Sequence, residues 1–375
     1  MTGAVDAGFP VAALDRIWHP PAGGRRLLDP KAAVRVPSGG WTVAAARAQL
    51  QRLVDRAPQV MVKVSGRQRG GDHVSAHFEY IGRHGELDVE TEDGETLKDV
   101  AALRERATEW HDEDGSDRAN AVTSISMVLS MPAGTDPQKV LAAARAFARV
   151  ELDGKHRYML ALHDDTDHPH VHLTVAVAPC RADGERFNPR KADLHRMRET
   201  FAHELRERGI EADATPRRAR GIVRRSDNVP LRKLKERYMR TGGLVLTEES
   251  ARRAGVVFAE GQGDLTPWER AGVSRQEQVK AAYARVARQL EALPDPADRK
   301  LGAALRRFVD AMPPPLSRRM LHAIAYLERV RRQEGIDAVA EKGVFKPAAT
   351  RSRSKDGGAA APQPPINRGP RDRQR

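Results

Sequence analysis

The sequence predicts an α+β protein: a mainly antiparallel sheet flanked by helices, followed by a helical C-terminal region and a disordered basic tail. Three observations predict it. Up to about residue 225, short segments of two-residue apolar alternation are interleaved with segments of helical period. From about 228 to 340 the pattern is helical and charged throughout. The last 25 residues hold Pro, Gly and Ala with seven Arg or Lys against two Asp, and have almost nothing to bury. The chain divides accordingly into an N-terminal extension (1–57, partly ordered, with one helix), an α+β domain (58–227), a helical region (228–345) and the tail (346–375).

Residues 1–40 are rich in Pro and Gly without a steady period and read as a loosely ordered lead-in. In WTVAAARAQLQRLVDRAP (41–58), Val43, Ala46, Leu50 and Leu53 recur at helical spacings and Pro58 ends the helix. Val60, Val62 and Val64 alternate in QVMVKVSG (59–66), which is strand spacing, and GRQRGGD (66–72) reads as a basic turn. HVSAHFEYIGRHG (73–85) reads as a helix stopped by Gly85. Val74, Phe78 and Ile81 form its apolar face, and His77, Tyr80 and His84 a polar one. The acidic stretch 86–119 predicts a short hairpin or loop, then a helix over 96–110.

SISMVLSMP (124–132) is a strand closed by Pro132 and Gly134. Residues 136–152 form a helix with Asp136 as N-cap and Pro137 at the first helical position. RYMLALH (157–163) and HVHLTVAVAP (170–179) are strands joined by the connector DDTDHP, and 191–209 is an amphipathic helix ended by Gly209. The later helical region is broken at Gly242–Gly243 and at Pro313–Pro315.

Composition narrows the function classes. No apolar run approaches the roughly 20 residues needed to cross a bilayer, and the N-terminus lacks the pattern of a secretion signal. Membrane insertion is not expected. The single cysteine, Cys180, excludes an internal disulfide. Sixty-four Lys and Arg against 51 Asp and Glu give a net charge of +13. Such a surface attracts polyanions, nucleic acid above all, although a merely basic protein has the same balance.

HDDTDHPHVH (163–172) holds four of the chain's 13 histidines. His170 and His172 are two apart on a strand, so their rings point to one side. A partner strand carrying His163 brings a third ring to the same place. Three neutral imidazoles on a rigid face make a divalent-metal site with open positions for substrate oxygens. Asp165 and Asp167 are near enough in sequence to orient the rings. The alternatives are satisfied polar residues on a sheet face, or a structural zinc, which favours cysteine and four ligands. A catalytic metal beside a basic surface points to phosphodiester chemistry, which needs a nucleophile. Tyr80 lies on a polar helix face next to a basic glycine loop, although taken alone it reads first as a packing tyrosine.

HDDTDHPHVH and the strand after it resemble the third motif of conjugative relaxases, within the HUH endonucleases. VMVKVSGRQRGG…HVSAHFEYIGRHGEL is similar to their first motif, SISMVLSMPAGTD to the second, and FNPRKADLHRMRETFAHELRERGIEADATPRRARG to the segment after the histidines. Residues 58–225 thus resemble the MOB-P class, which includes the mobilisation proteins of broad-host-range plasmids and the agrobacterial T-DNA border endonuclease. The first 57 residues and the chain beyond 228 have no such match. The N-terminal extension is a departure, since in many members the nucleophile lies within the first few tens of residues.

The resemblance implies a relaxase fold and site- and strand-specific nicking at a transfer origin, in which a tyrosine makes a 5′-phosphotyrosyl bond with single-stranded DNA. It implies Tyr80 as nucleophile, His163, His170 and His172 as ligands of Mg²⁺ or Mn²⁺, and Asp165, Asp167 and His168 as polar residues of the same motif. Asp167 and His168 are the candidates for the proton acceptor. Arg67, Arg69, Ser130, Arg190, Lys191, Arg217, Arg218 and Arg220, with Arg186, Arg224 and Arg225, are candidates for DNA contact, although a solvated basic loop accounts equally for the 217–225 cluster. Implied partners are accessory relaxosome proteins and a type IV secretion coupling protein. The implied location is the bacterial cytoplasm, with export covalently bound to DNA.

Two rivals remain. A rolling-circle replication initiator uses similar histidines, but its tyrosine usually follows them. Here Tyr80 precedes them, while Tyr238, Tyr283 and Tyr326 follow in helical segments without the motif. A non-catalytic origin-binding protein would need neither the triad nor Tyr80.

Overall fold

The computed structural model describes residues 8–18, 42–115, 121–222, 229–240, 246–261 and 264–333. Most of the expected lead-in, Arg224 and Arg225, the Gly242–Gly243 break and the whole tail lie outside the described residues. Six strands form one sheet: β1 (Met61–Arg69), β2 (Val89–Thr91), β3 (Thr96–Leu97), β4 (Val122–Ser130), β5 (Tyr158–His163) and β6 (His170–Ala176). The order is β1-β4-β6-β5-β2-β3, and every pair is antiparallel. The expected antiparallel sheet with flanking helices is therefore present. Among the described residues no helix is long and apolar enough to cross a membrane.

The two faces follow from strand alternation. On one, Val62, Ile125, Met127, Leu129, Leu160, Val171, Leu173 and Val175 pack against Phe147 of α5 (Pro137–Leu152) and Phe201 of α6 (Lys191–Arg206). On the other, Met159, Ala161 and Ala176 pack against Val74, Phe78 and Ile81 of α3 (Gly70–Ile81) and Leu103 and Trp110 of α4 (Val100–Glu113). Each such side chain contributes about 1.5–3 kcal/mol when fully buried, so α3 is held by its apolar stripe and not by propensity.

A third core joins the first two described helices to later ones. Leu14, Ile17 and Trp18 of α1 (Val11–Trp18) and Leu50 and Leu53 of α2 (Val43–Val54) pack with residues of α9 (Pro267–Glu291) and α10 (Pro296–Asp310). Trp18 Nε1 donates to the buried Tyr283 hydroxyl at 3.0 Å, and Arg47 donates to both oxygens of the buried Asp298 at 2.8 and 3.0 Å. Helices α7 (Val229–Arg240) and α8 (Leu246–Ala259) precede α9, and α11 (Arg318–Gln333) is the last described helix.

Three local expectations change. The lead-in carries a helix, α1, which the Pro- and Gly-rich composition around it hid and which is held by distant α9. The stretch at 66–69 is strand, because irregularities at Val64/Gly66 and Gln68/Arg69 keep it paired with β4. A Cβ on Gly66 would stand 2.8 Å from Ser126 Oγ, so glycine is what allows that close approach. Finally, α3 stops at Ile81, and a short 3₁₀ turn (Arg83–Gly85) follows, with Arg83 and His84 at φ of +48° and +57°. His84 therefore does not share the helix face of His77 and Tyr80.

Candidate metal centre and nucleophile

The antiparallel register of β5 and β6 places His163 directly opposite His170, with His172 two residues on. Their ring centroids are 4.4 Å (His163–His172), 5.2 Å (His170–His172) and 5.3 Å (His163–His170) apart. One nitrogen from each ring lies within 4.8 Å of the other two. His163 and His172 are buried and His170 is half-buried.

Backbone carbonyls aim two of the rings. His163 Nε2 donates to Ile81 O at 2.7 Å and His170 Nδ1 to His168 O at 3.0 Å, which leaves one lone pair free on each ring. His172 Nδ1 is buried without a hydrogen-bond partner. Burial pushes the pKa of His172 down to about 3, helped by the charges of His163 and His170, and burial likewise lowers that of His163. Neutral rings, lone pairs aimed inward and an orphaned buried nitrogen fit a divalent ion held by imidazoles. The donor set contains no carboxylate, which suits Mn²⁺ better than Mg²⁺.

Tyr80 stands on the last turn of α3, one residue before the carbonyl that orients His163. Its side chain is 52% exposed, so a large substrate can reach it. The ring centroid lies 5.9 Å from that of His172, nearly perpendicular to it, and 6.4 Å from that of His163. The 82-residue separation between Ile81 and His163 is closed by that single hydrogen bond and by the packing of Ile81 and Phe78.

Other members of the motif stand elsewhere than expected. Asp165 does not orient a histidine: it forms an ion pair with Arg83 at 2.5 Å. The Arg83 guanidinium lies 6.0 Å from the Tyr80 ring centroid. Left-handed backbone at Arg83 and His84 costs about 1–3 kcal/mol each, and it turns the chain so that Arg83 projects back toward Tyr80 and the connector. Asp167 and His168 are exposed, and neither touches Tyr80 among the described contacts; His168 serves through its carbonyl. The additional ring set against Tyr80 is His77, stacked with centroids 6.4 Å apart. Its Nε2 meets Thr174 Oγ1 at 3.0 Å. The three-residue spacing of His77 and Tyr80 on one helix was the signal for this residue.

The candidate DNA-contact residues fall into several places. Ser130 is buried in register opposite His170, on the metal side of the sheet. Arg67 is in register with Ile125, a residue of the α5/α6 core, and donates to Asn188 at 3.2 Å. With Arg69, Arg186 and Phe187 it lines a groove of about 700 Å³. Arg190 and Lys191 are exposed at the start of α6, the layer across the sheet from the histidines. Arg217 is exposed. Arg218 is half-buried and donates to Trp18 O at 3.5 Å. Arg220 is paired with the buried Asp213 and donates to Ala57 O at 2.7 Å. The last two serve the internal structure, because burial and backbone acceptors claim their guanidinium groups.

A pH dependence follows. Burial lowers the pKa of His77 to about 4, so the folded protein resists protonation that the unfolded chain accepts below its ordinary value of 6.5. The stabilisation is complete above about pH 6.5 and is lost progressively as pH falls toward 4. The melting temperature in chelator-treated buffer should fall over that window, and less steeply in His77→Gln, which cannot titrate. A parallel pair of curves would show that His77 is not buried in the neutral form.

Comparison with known proteins identifies the segment. Residues 80–210 match the model of the family "Relaxase: MobA/VirD2-like, nuclease domain", a span that opens on Tyr80 and includes all three histidines. The chain is 29% identical over 194 residues to the T-DNA border endonuclease VirD2 of Rhizobium radiobacter, covering 46% of this chain and 45% of that protein. It is 29% identical over 115 residues to the 43 kDa relaxation protein of Salmonella typhimurium, covering 28% and 31% of the two chains. The chain thus spans less than half the length of these relatives. Among solved structures it resembles the MobM relaxase domain bound to oriT DNA (12% identity, 47% of this chain and 99% of that one, TM-score 0.34). It also resembles the conjugative relaxase TrwC in complex with oriT DNA (12% identity, 67% and 98%, TM-score 0.27). Over residues 80–210 the sequence is therefore similar to the MobA/VirD2-like relaxase nuclease domain.

Proposed function

We propose that this chain nicks one DNA strand at a transfer origin by tyrosine transesterification, for conjugative transfer or mobilisation. The observation that carries the reading is the exposed Tyr80 ring standing 5.9 Å, centroid to centroid, from a buried histidine of a three-imidazole cluster. Its family relatives include a border endonuclease and a relaxation protein.

The Tyr80 oxygen attacks the scissile phosphorus in line. A bond forms between that oxygen and phosphorus, the bond from phosphorus to the 3′ oxygen breaks, and the proton lost by the phenol is balanced by one gained at the 3′ oxygen. An unperturbed phenol has a pKa near 10, so the ring needs help to bear negative charge. Arg83, itself paired with Asp165, lies 6.0 Å from the ring centroid and offsets part of that charge. His163, His170 and His172 would hold a divalent ion, Mn²⁺ by preference, which would supply Lewis-acid polarisation of a phosphate oxygen and offset charge in the transition state. The Ile81 carbonyl couples the ring of His163 to the helix end that presents Tyr80, so nucleophile and imidazoles keep one geometry. An aryl oxide leaves more readily than an alkyl one, so the phosphotyrosine stays activated. The free 3′ hydroxyl can then rejoin the strand, which hydrolysis by water would forbid.

On this reading the nuclease unit occupies 58–227 and binds single-stranded DNA. Accessory relaxosome proteins and a type IV secretion coupling protein are its further partners, and the protein leaves the bacterial cytoplasm attached to DNA. The test uses the full chain, Mn²⁺ and single-stranded oligonucleotides tiling a candidate origin, with mass spectrometry of the adduct. The nucleotide mass is expected on Tyr80. Tight binding without any adduct would instead mark a non-catalytic origin-binding protein.

His170→Ala should lower metal affinity and cleavage together. Even groups that merely orient metal ligands are worth about 10–100-fold in affinity, so losing a ligand should cost more than about 100-fold, read by Mn²⁺ titration calorimetry. Unchanged metal-dependent cleavage in this variant would dismiss the triad.

A further inference from the structure

Strand register extends the reaction centre sideways across the sheet. Residues directly opposite in antiparallel strands share a face. One row reads Met61, Ser130, His170 and His163, and the next reads Lys63, Val128, His172 and Ala161. Both rows lie on the face that carries α3, because Ala161 belongs to the core beneath that helix. Toward the far end of the sheet this face is closed. Ser65 Oγ bonds Ser126 Oγ at 3.1 Å, Gln68 Nε2 bonds the same oxygen at 3.2 Å, and Thr174 meets His77. Toward β1's beginning it is open. Met61 is 46% exposed, Lys63 is exposed, and β1 is an edge strand.

The Lys63 side chain makes no ion pair or hydrogen bond among the described residues, while its backbone pairs with β4. It stands two strand spacings from His172, about 10 Å, along one row. Two cations of neighbouring segments are engaged elsewhere. Arg83 is bound to Asp165, and Arg67 lies in register with the opposite core and donates to Asn188. The open patch is therefore the exposed Met61 and the Lys63 cation, beside Val128 and Ser130, which are about nine-tenths buried in the sheet. The sulfur-containing side chain offers a surface for a base, and the ammonium offers a partner for a phosphate.

We propose that Met61 and Lys63 form a nucleotide subsite beside the reaction centre, in which Lys63 holds a phosphate neighbouring the scissile one and the exposed Met61 side chain carries a base. The occupant is single-stranded DNA, chosen by charge complementarity and by continuity with Tyr80 and the histidines, and the inference rests on the nickase reading above. The bound strand then crosses the sheet from the metal cluster toward the β1 edge. Lys63 acts as a positioning residue.

The experiment measures binding of a fluorescein-labelled oligothymidylate to the full chain across a salt series. Lys63→Gln should weaken binding and make the slope of log affinity against log salt shallower by about 0.7, the value for one phosphate contact on a single strand. Lys300→Gln, an equal charge loss on an exposed site of α10, should leave the slope unchanged. With 5-iodouracil in the oligonucleotide, irradiation should cross-link the peptide containing Met61. An unchanged slope in Lys63→Gln, an equal loss in Lys300→Gln, or a cross-link mapping to the Arg67 groove overturns the subsite. If wild-type protein still forms the Tyr80 adduct in those cases, the nickase reading stands without it. Failure of wild-type protein to form any adduct with origin oligonucleotides overturns both.

Discussion

Tyr80→Phe should abolish the protein–DNA adduct and leave affinity for single-stranded DNA nearly unchanged. The substitution removes one hydroxyl and keeps the ring that stacks on His77, meets His172 edge-on and lies under Arg83. Because the side chain is half exposed, no buried partner is orphaned, and stability should change by less than about 0.5 kcal/mol. On the proposed mechanism the phenolic oxygen is the atom that bonds to phosphorus, so its loss is not a matter of degree. Denaturing gel electrophoresis after incubation with Mn²⁺ and labelled oligonucleotide reads the outcome directly. If water takes over as nucleophile, the strand is cut slowly but no label migrates with the protein. A Phe variant that still carries label would place the nucleophile at another residue.

The parts legible in the sequence were those set by local chemistry. Strand spacing at His170 and His172, the Asp136 cap followed by Pro137, and the apolar face of Val74, Phe78 and Ile81 each declare themselves within a few residues. The meeting of Tyr80 with the histidines was legible only through family resemblance, because nothing in periodicity links positions 83 or more residues apart. What was missed is long-range or conformational. The pairing of Asp165 with Arg83 depends on left-handed backbone at two non-glycine residues, which no propensity announces. Lys63 and Met61 acquire meaning only once β1 is known to lie two strands from β6. The helix α1 is short and sits in a Pro- and Gly-rich context, and it is held by packing on α9, more than 250 residues away in sequence.

Arg220 shows the same limit most sharply, because a basic cluster in sequence looks alike whether it meets phosphate or protein. Arg220→Ala should destabilise the fold by about 3–5 kcal/mol, the range for removing one partner of a buried ion pair. Asp213 is 1% exposed and stands at a junction. Its carboxylate pairs with Arg220 and accepts from the Thr215 amide at 3.0 Å and hydroxyl at 2.8 Å. Its backbone bonds Pro58 and Val60 on either side of the bridge at Gln59, while Gln49 of α2 reaches Thr215 at 3.2 Å. Without Arg220 the carboxylate is left buried and unpaired, and Ala57 O loses its donor. Against a typical domain stability of about 5–15 kcal/mol, that is a large fraction. Urea denaturation of Arg220→Ala, Asp213→Asn and the double variant should give a combined loss well short of the sum, since the two residues act through one contact. A phosphate-binding arginine predicts the reverse signature: wild-type stability with a salt slope for oligothymidylate shallower by about 0.7. The two readings therefore separate on measurements of a single variant, and the buried pair with Asp213 requires the first.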